Sequence, residues 1–348
     1  MKDSAEMQNP RESILRAFVG RKADRIPAAL LGAGMWSVHH FGTSFKALST
    51  DAPKMAEMII EMSDRLRSDI IYVGSGYPNF PIAALGGKIK YRDIGAPDLE
   101  APIVSSEKDL AKLDISQIEK DAVLHTIKEA YGIIKAKLGE EYIVTLTAWG
   151  PFTLGARLIG EEIMMKALHR DPSFVDKVVS FAGEVLMQFY DSLLSSGMLD
   201  VILLGEPTAS GDLISRKQFE QFVLPRVKEF TGWAKMKGAN TILHICGNTT
   251  DRLDLYPLTG ASCISLDHKT DLAKAKEVLY GKMCFAGNVD PVKVLLQGTT
   301  QEVEDDCKGV IKMAGTDGGF ILMPGCDIPP TVPQENIQQF MRTAWEWR

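Results

Sequence analysis

The chain has 348 residues, of which 45% are hydrophobic and 24% are charged, and its formal net charge is −6 at pH 7. This composition is typical of a globular protein. The net negative charge, without any cluster of basic and aromatic residues, argues against nucleic-acid binding. No apolar run reaches the length of a membrane span, and the polar first residues lack the apolar core of a signal peptide. We therefore expect a cytoplasmic protein that binds no membrane.

Short apolar runs alternate with long amphipathic segments along the chain. The runs are mostly continuous, as expected for parallel strands that are buried on both faces. Between them lie helical patterns such as residues 172–197, whose apolar positions recur every three or four residues. Eight strands joined by helices predict a (β/α)8 TIM barrel. The predicted strands are 26–31, 69–74, 142–149, 200–204, 241–246, 263–267, 282–288 and 320–324.

Two segments lie outside this simple repeat. Residues 1–25 predict a short N-terminal helical extension that leads into the first strand. Residues 86–108 combine β-forming residues with Pro and Gly, and they predict a hairpin inserted after the second strand. We expect the whole chain, 1–348, to form a single barrel domain that includes both additions.

Three residues at predicted strand ends form a candidate metal site. His244 and Cys246 end the fifth strand two positions apart, so they point to the same side. Cys326 follows the eighth strand, and a closed barrel brings that end to the same rim. Two thiolates and one imidazole suit Zn²⁺ with a fourth position open for chemistry. Judged by spacing alone, two buried residues and a loop cysteine are the alternative.

The other cysteines predict no disulfide framework, because the total of five is odd and the spacing does not fit one. Cys263 and Cys284 lie in apolar runs that predict buried strands, so we expect small buried hydrophobic residues there. Cys307 lies in a helical run, and we assign it no role.

Acidic and imidazole side chains at other strand ends are candidates for catalysis. Glu206, after the fourth strand, could be a fourth ligand, a general base or a carboxylate that holds His244. The alternative is an acidic residue that merely starts a helix. Asp267 and His268 end the sixth strand, where either could act as a proton shuttle.

Aromatic residues after three of the strands predict a substrate-binding wall at the barrel mouth. Trp36, Tyr77 and Trp149 belong to this wall, and Asn288 ends the seventh strand beside it; some of the aromatic residues could instead be core. Such a wall suits a flat or apolar group better than a small anion. Arginine is scarce after the first two strands, which argues against a substrate with many carboxylates.

Several motifs together carry a family resemblance: WGPFTLGARLIG, EPTASGDLIS, LHICGN, FAGNVDP and MPGCDIPP. They resemble the uroporphyrinogen decarboxylase superfamily. More closely, they resemble its zinc methyltransferase branch, the methylcobamide:coenzyme M methyltransferases and related corrinoid-dependent demethylating enzymes. The resemblance runs from about residue 12 to the C-terminus. It implies a TIM barrel in which His244, Cys246 and Cys326 bind zinc.

Two positions depart from the family pattern. The decarboxylase has an arginine-rich motif after the first strand that grips the porphyrinogen carboxylates, but here the stretch reads ALLGAGMWSVHHFG, without arginine. We therefore do not expect porphyrinogen decarboxylation to be the main activity. Relatives often have Asp in place of Glu206, which leaves open whether Glu206 is a ligand or holds one.

The resemblance implies methyl transfer between a small substrate and the cobalt of a corrinoid. The chain has no cobalamin-ligating D-x-H-x-x-G run, so we expect the corrinoid to arrive on a partner corrinoid-binding protein. Zinc would either hold a thiol that attacks methyl-cobalt or hold an ether oxygen that leaves when Co(I) takes the methyl group.

We favour demethylation of a methyl ether or a similar small compound, because the predicted mouth is aromatic and lacks cations for a sulfonate. The alternatives are a coenzyme M-type thiol acceptor, a metal-independent decarboxylase-like lyase, and a protein in which zinc serves structure alone.

Overall fold

A curled sheet of seven parallel strands forms the centre of the computed structural model, which describes residues 9–347. The strand order is β1-β4-β5-β6-β7-β8-β9, and β2 and β3 form a separate pair. This arrangement confirms the predicted α/β barrel class. The strands are β1 Ile70–Val73, β2 Ile89–Lys90, β3 Asp98–Leu99, β4 Ile143–Trp149, β5 Val201–Gly205, β6 Asn240–Ile245, β7 Cys263–Leu266, β8 Cys284–Val289 and β9 Phe320–Pro324.

The first predicted strand is present only as a single bridge. Ala28 pairs in parallel with Leu322 of β9, and the Asp69 N–H donates to Ala28 O at 3.0 Å on the other side. The N–H groups of Ala28 and Leu30 donate to the side chains of Asp69 and Ser68, at 2.9 and 3.1 Å. The prediction of a full strand here was wrong, because these side chains replace the backbone acceptors of a neighbouring strand. We call the contacts of residues 25–30 with β9 and with Ser68 and Asp69, which directly precede β1, the seam.

Helices cover the outside of the barrel, and aspartate side chains such as Asp51, Asp121 and Asp171 cap the N-termini of several of them. Within residues 9–347, none of the helices is both long and apolar enough to cross a membrane. The α-helices are α1 Pro10–Phe18, α2 Gly34–Phe41, α3 Phe45–Leu48, α4 Ala52–Leu66, α5 Phe80–Ala84, α6 Glu107–Leu110, α7 Ala122–Leu138, α8 Pro151–Ile159, α9 Glu161–Arg170, α10 Pro172–Ser195, α11 Arg216–Gln218, α12 Leu224–Met236, α13 Leu272–Leu279, α14 Thr300–Ala314 and α15 Gln334–Glu346.

Helix α1 lies within the predicted N-terminal extension, whose residues 1–8 lie outside the described part of the chain. Ile14 and Phe18 of α1 pack in one cluster with Ile70 and Ile143, the first residues of β1 and β4. Helix α1 therefore covers the N-terminal end of the barrel interior and leaves the opposite end for the site.

The predicted hairpin insertion is also confirmed. Strands β2 and β3 pair antiparallel, with Ile89 opposite Leu99. Asp98 in the hairpin forms ion pairs with Arg92 and with Arg157 of α8. These ion pairs hold the hairpin against the helix that follows β4.

The barrel interior is apolar in its lower part. Alternate residues of the strands form a buried cluster there, with Tyr72, Leu203, Ile242 and Met323 among its members. Cys263 and Cys284, predicted to be buried, are fully buried neighbours on β7 and β8 in the same cluster. Nearer the C-terminal ends of β6 and β7, His244 and Ser265 place polar side chains in the same interior.

Candidate metal centre

Three side chains that the sequence predicts as ligands meet at the C-terminal mouth of the barrel. Nε2 of His244 lies 3.2 Å from Sγ of Cys246, and that sulfur lies 3.5 Å from Sγ of Cys326. All three ligand atoms lie within 4.8 Å of one another. Tetrahedral zinc, with bonds of about 2.0–2.3 Å, places such atoms about 3.5–3.8 Å apart. The donor set and its spacing therefore fit Zn²⁺.

The β6–β7 pairing fixes the orientation of the His244 ring. His244 is buried and lies opposite Ser265 in the register of the two strands. Its Nδ1 lies 3.1 Å from Ser265 Oγ and 3.3 Å from Ser265 O. With its Nδ1–H donated to Ser265, the ring presents Nε2 to the two sulfurs, which is the usual arrangement of a metal-ligating histidine.

The two sulfurs perturb each other's proton affinity. The hydrogen bond from the Cys246 thiol, together with His244, lowers the pKa of Cys326 well below that of an ordinary thiol. The same contact, aided by burial, raises the pKa of Cys246. Both sulfurs would have to lose their protons to bind a metal ion.

Glu206 lies beside this centre, but its carboxylate points at helix α8. Its Oε1 accepts the Phe152 N–H at 2.9 Å, and its Oε2 accepts the Thr153 N–H at 2.7 Å. Burial raises the pKa of Glu206 to about 7, although these hydrogen bonds lower it. The Glu206 N–H donates to His244 O at 2.8 Å. Glu206 therefore joins the start of α8 to the strand that carries the ligands.

Gly150 makes this capping arrangement possible. A Cβ atom at Gly150 would lie 2.4 Å from Cδ of Glu206. Only glycine allows the carboxylate to approach the first turn of α8 so closely.

Asp267 and His268 lie on the rim of the mouth. Nδ1 of His268 is 3.0 Å from Oδ1 of Asp267, and Nε2 is 3.6 Å from Oδ2 of Asp290. The Asp267 side chain is nearly buried, whereas His268 is about one-third exposed. The imidazole therefore links an inner carboxylate to an outer one, and its role as a proton shuttle stays a prediction.

The predicted aromatic wall divides into core and mouth residues. Trp36 is fully buried and donates its Nε1–H to Val332 O at 2.9 Å, and Tyr77 is buried with its hydroxyl donated to Phe45 O at 2.8 Å. Their contacts give both residues a packing role. Trp149 is half-buried at the end of β4.

Two amides hold polar groups near the mouth. The Nε1–H of Trp149 donates to Oδ1 of Asn79 at 2.8 Å, which fixes the plane of the indole. Nδ2 of Asn288 donates to Asp267 O at 3.2 Å and to Thr270 O at 3.0 Å. Asn288 thus supports the loop after β7, and a direct role in substrate binding stays a prediction.

Sequence reasoning missed Ser265 and assigned no role to Asp327, although Asp327 follows the eighth strand. Ser265 shares a strand face with Asp267, so the period of two residues along β7 could have pointed to it. Asp327 follows Cys326 directly and accepts the Ala33 N–H at 2.8 Å. Burial raises the pKa of Asp327 to about 7, although that backbone hydrogen bond lowers it.

A set of metal-ligand and titratable side chains at the C-terminal ends of barrel strands is the arrangement of an enzyme active site in this fold. Comparison with known sequences shows to which protein family the chain belongs. The chain matches the model of the Uroporphyrinogen decarboxylase (URO-D) family over residues 9–347, and it belongs to that family. The resemblance seen in the sequence motifs is thereby confirmed.

Relatives with two different activities cover nearly the whole chain. Methylcobamide:CoM methyltransferase MtbA of Methanosarcina acetivorans is 28% identical over 97% of this chain and 98% of its own. Uroporphyrinogen decarboxylase of Geotalea daltonii is 25% identical over 92% of this chain and 94% of its own. The solved structure of a methyltransferase from Methanosarcina mazei superposes with a TM-score of 0.86 at 23% identity, over 97% of this chain and 98% of that one. This structural likeness confirms the fold.

Proposed function

We propose that this chain is a zinc-dependent methyltransferase that moves a methyl group between a small substrate and the cobalt of a corrinoid carried by a partner protein. The observation that carries the proposal is the convergence of His244, Cys246 and Cys326 within 4.8 Å at the barrel mouth. The whole-length similarity to a methylcobamide:CoM methyltransferase supports it independently.

Zinc at these ligands would supply a Lewis acid with one open position for a thiol or an ether. The residues of the chain prepare that position. With its Nδ1–H donated to Ser265, His244 would present an unprotonated Nε2 to the metal, and both cysteine sulfurs would lose their protons on binding it. The rim residue His268 lies where it could pass protons between the mouth and solvent.

The contacts of Glu206 support a catalytic rather than a purely structural metal. A structural zinc site is closed by four protein ligands. Both carboxylate oxygens of Glu206 accept N–H groups of α8, so this residue is committed to a helix cap. Among residues 9–347, the cluster of possible metal ligands comprises three residues, which leaves a fourth position for substrate.

Two substrate classes fit this chemistry. A methylated ether or similar small compound, demethylated towards Co(I), is favoured by the lack of Lys and Arg among the inward-facing strand residues. A coenzyme M-type thiol that takes the methyl group from methyl-cobalt is favoured by the activity of the relative MtbA, a methylcobamide:CoM methyltransferase. Porphyrinogen decarboxylation is disfavoured, because the segment 29–42 has no arginine to bind carboxylates.

Metal content is the first test of the proposal. Mass spectrometry of the purified chain should find about one zinc per chain, and His244→Ala should lose it. Cys307→Ala is the matched control, because Cys307 is a buried thiol in α14 outside the cluster and its loss should leave the zinc in place. A metal-free wild type that is still active would refute the zinc-dependent mechanism and support the decarboxylase-like lyase.

Activity is the second test. The zinc-loaded chain would be mixed either with free methylcobalamin and a thiol or with free cob(I)alamin and a methyl ether. Conversion between the cobalamin forms, followed by absorbance, shows which direction the chain supports. Methylation of coenzyme M without any activity on ethers would overturn the preference for demethylation while preserving the metal mechanism.

A further inference from the structure

Two hydroxyl groups in the barrel wall are buried without a hydrogen-bond partner among the described residues. They are Oη of Tyr72 on β1 and Oγ1 of Thr147 on β4. A buried hydroxyl without a partner costs free energy, so such groups are rare unless a ligand or water completes them.

Tyr72, Thr147 and His244 all lie on the inward face of the sheet. Tyr72 belongs to the interior cluster, and Thr147 is on the same face of β4 as Ile143, another member of that cluster. His244 is likewise on the same face of β6 as Ile242. Because alternate residues of a strand point to one side, the two hydroxyls and the metal ligand share the barrel interior.

The strand register also gives the positions of these residues along the barrel axis. Tyr72 pairs with Thr145 in the register of β1 and β4, so Thr147 lies one inward-facing step closer to the mouth. The next inward-facing residue of β4 is Trp149, which pairs with Gly205, and Gly205 pairs with His244. Thr147 therefore lies one inward-facing step, and Tyr72 two such steps, below the level of Trp149 and His244, on the side of the interior formed by β1 and β4.

Charge in this part of the barrel disfavours an anionic ligand. None of the inward-facing residues of the described strands is Lys or Arg, whereas Asp267 and Asp327 place carboxyl groups at the mouth. Arg157, which contacts the mouth through Asn79, is already bound to two carboxylates of the hairpin and α9.

We infer that the hydroxyls of Tyr72 and Thr147 bind an uncharged oxygen of the small substrate, a hydroxyl or an ether, while the reacting sulfur or oxygen of that substrate lies at the metal centre. The inference rests on the proposed function, because it needs the metal centre to anchor the reacting atom. It specifies a neutral substrate and excludes one whose polar end is a sulfonate or carboxylate.

Three thiols that share an ethyl chain test this inference by equilibrium binding. They are 2-mercaptoethanol, which carries a hydroxyl; 2-mercaptoethanesulfonate, which carries a sulfonate; and ethanethiol, which carries neither. Isothermal titration into the zinc-loaded chain should show 2-mercaptoethanol binding most tightly and the sulfonate most weakly. Each hydroxyl contact is expected to change the affinity roughly tenfold or less.

Variants assign the effect to the two residues. Tyr72→Phe and Thr147→Val should each lower the affinity for 2-mercaptoethanol by up to about tenfold and leave the affinity for ethanethiol unchanged. Thr241→Val is the matched control, because Oγ1 of Thr241 is also buried without a partner but lies on the outer face of β6. This control should bind all three thiols like the wild type.

The outcomes separate this inference from the proposed function. If all three thiols bind equally, or if the sulfonate binds best, the neutral-oxygen site is refuted while the metal centre stands. If Tyr72→Phe and Thr147→Val lower the affinity for ethanethiol as much as that for 2-mercaptoethanol, the hydroxyls serve packing alone and the inference is wrong. If no thiol binds a chain that holds zinc, both this inference and the coenzyme M-type alternative are refuted, whereas the ether-demethylation form of the proposed function stands.

Discussion

The buried ion pair at the seam should decide the stability of the barrel. Arg25 and Asp69 form two hydrogen bonds of 2.7 Å each, and their side chains are only 9% and 1% exposed. Asp69 also accepts the N–H of Ala28, the residue that closes the barrel. Burial nevertheless raises the pKa of Asp69 in spite of Arg25. We therefore expect the largest loss of stability when one partner of the pair is removed and the other stays buried.

Asp69→Ala should destabilise the chain by about 3–5 kcal/mol, because it leaves the Arg25 guanidinium buried without its carboxylate. The unfolding entropy of a chain of this length is about 0.7 kcal/mol per degree. The expected fall in the thermal midpoint is therefore about 4–7 °C, measured by circular dichroism on protein with a fixed metal content.

A second bidentate pair provides the control. Arg216 and Asp254 also form two short hydrogen bonds, but their side chains are 37% and 58% exposed. Asp254→Ala should cost about 1 kcal/mol or less, since water screens and replaces the interaction. If Asp69→Ala lowered the midpoint no more than Asp254→Ala, the reasoning from burial would be wrong.

The double variant Asp69→Asn with Arg25→Met separates the two contacts of Asp69, which are the ion pair with Arg25 and the hydrogen bond from the Ala28 N–H. The amide oxygen still accepts the Ala28 N–H, and no charge is left buried. This double variant should be clearly more stable than Asp69→Ala, because replacing both partners of a buried pair costs less than orphaning one.

Three further predictions concern the site. Ser265→Ala should weaken zinc binding about 10–100-fold in a chelator competition, because it removes a partner of the His244 ring; unchanged affinity would exclude that role. Cys326→Ser should abolish methyl transfer and barely shift the thermal midpoint, whereas a large fall in the midpoint would indicate a structural metal. Gly150→Ala should cost about 1–3 kcal/mol by overpacking against Glu206, and a midpoint equal to that of the wild type would contradict the tight approach.

The meeting of the three candidate metal ligands could be predicted from the sequence because their signals are local. His244 and Cys246 are two residues apart at the end of an apolar run, and Cys326 follows another such run. The period of a strand and the geometry of a barrel then bring them together. Neither step needs knowledge of side-chain packing.

Sequence patterns leave a position open, or mislead, where the answer depends on packing across the barrel. Trp36 and Tyr77 follow strands as mouth residues do, which left wall and core as alternatives, and both side chains are buried. The first strand is reduced to a bridge because Ser68 and Asp69, about 40 positions away in the chain, supply the acceptors. Tyr72 gave no signal, since a tyrosine in an apolar strand is expected to be core.

The seam and the metal centre are connected through the residue after the last ligand. Asp327 accepts the Ala33 N–H, and Gly32 packs so closely that a Cβ atom there would lie 2.9 Å from Oδ1 of Asp327. The segment that closes the barrel therefore also fixes the loop that carries Cys326. Because the other two ligands come from β6, on the far side of β7 and β8, the ligand triangle depends on the closure of the barrel. The buried Arg25–Asp69 ion pair and the Ala28–Leu322 bridge hold this segment from its two sides, next to β1 and against β9.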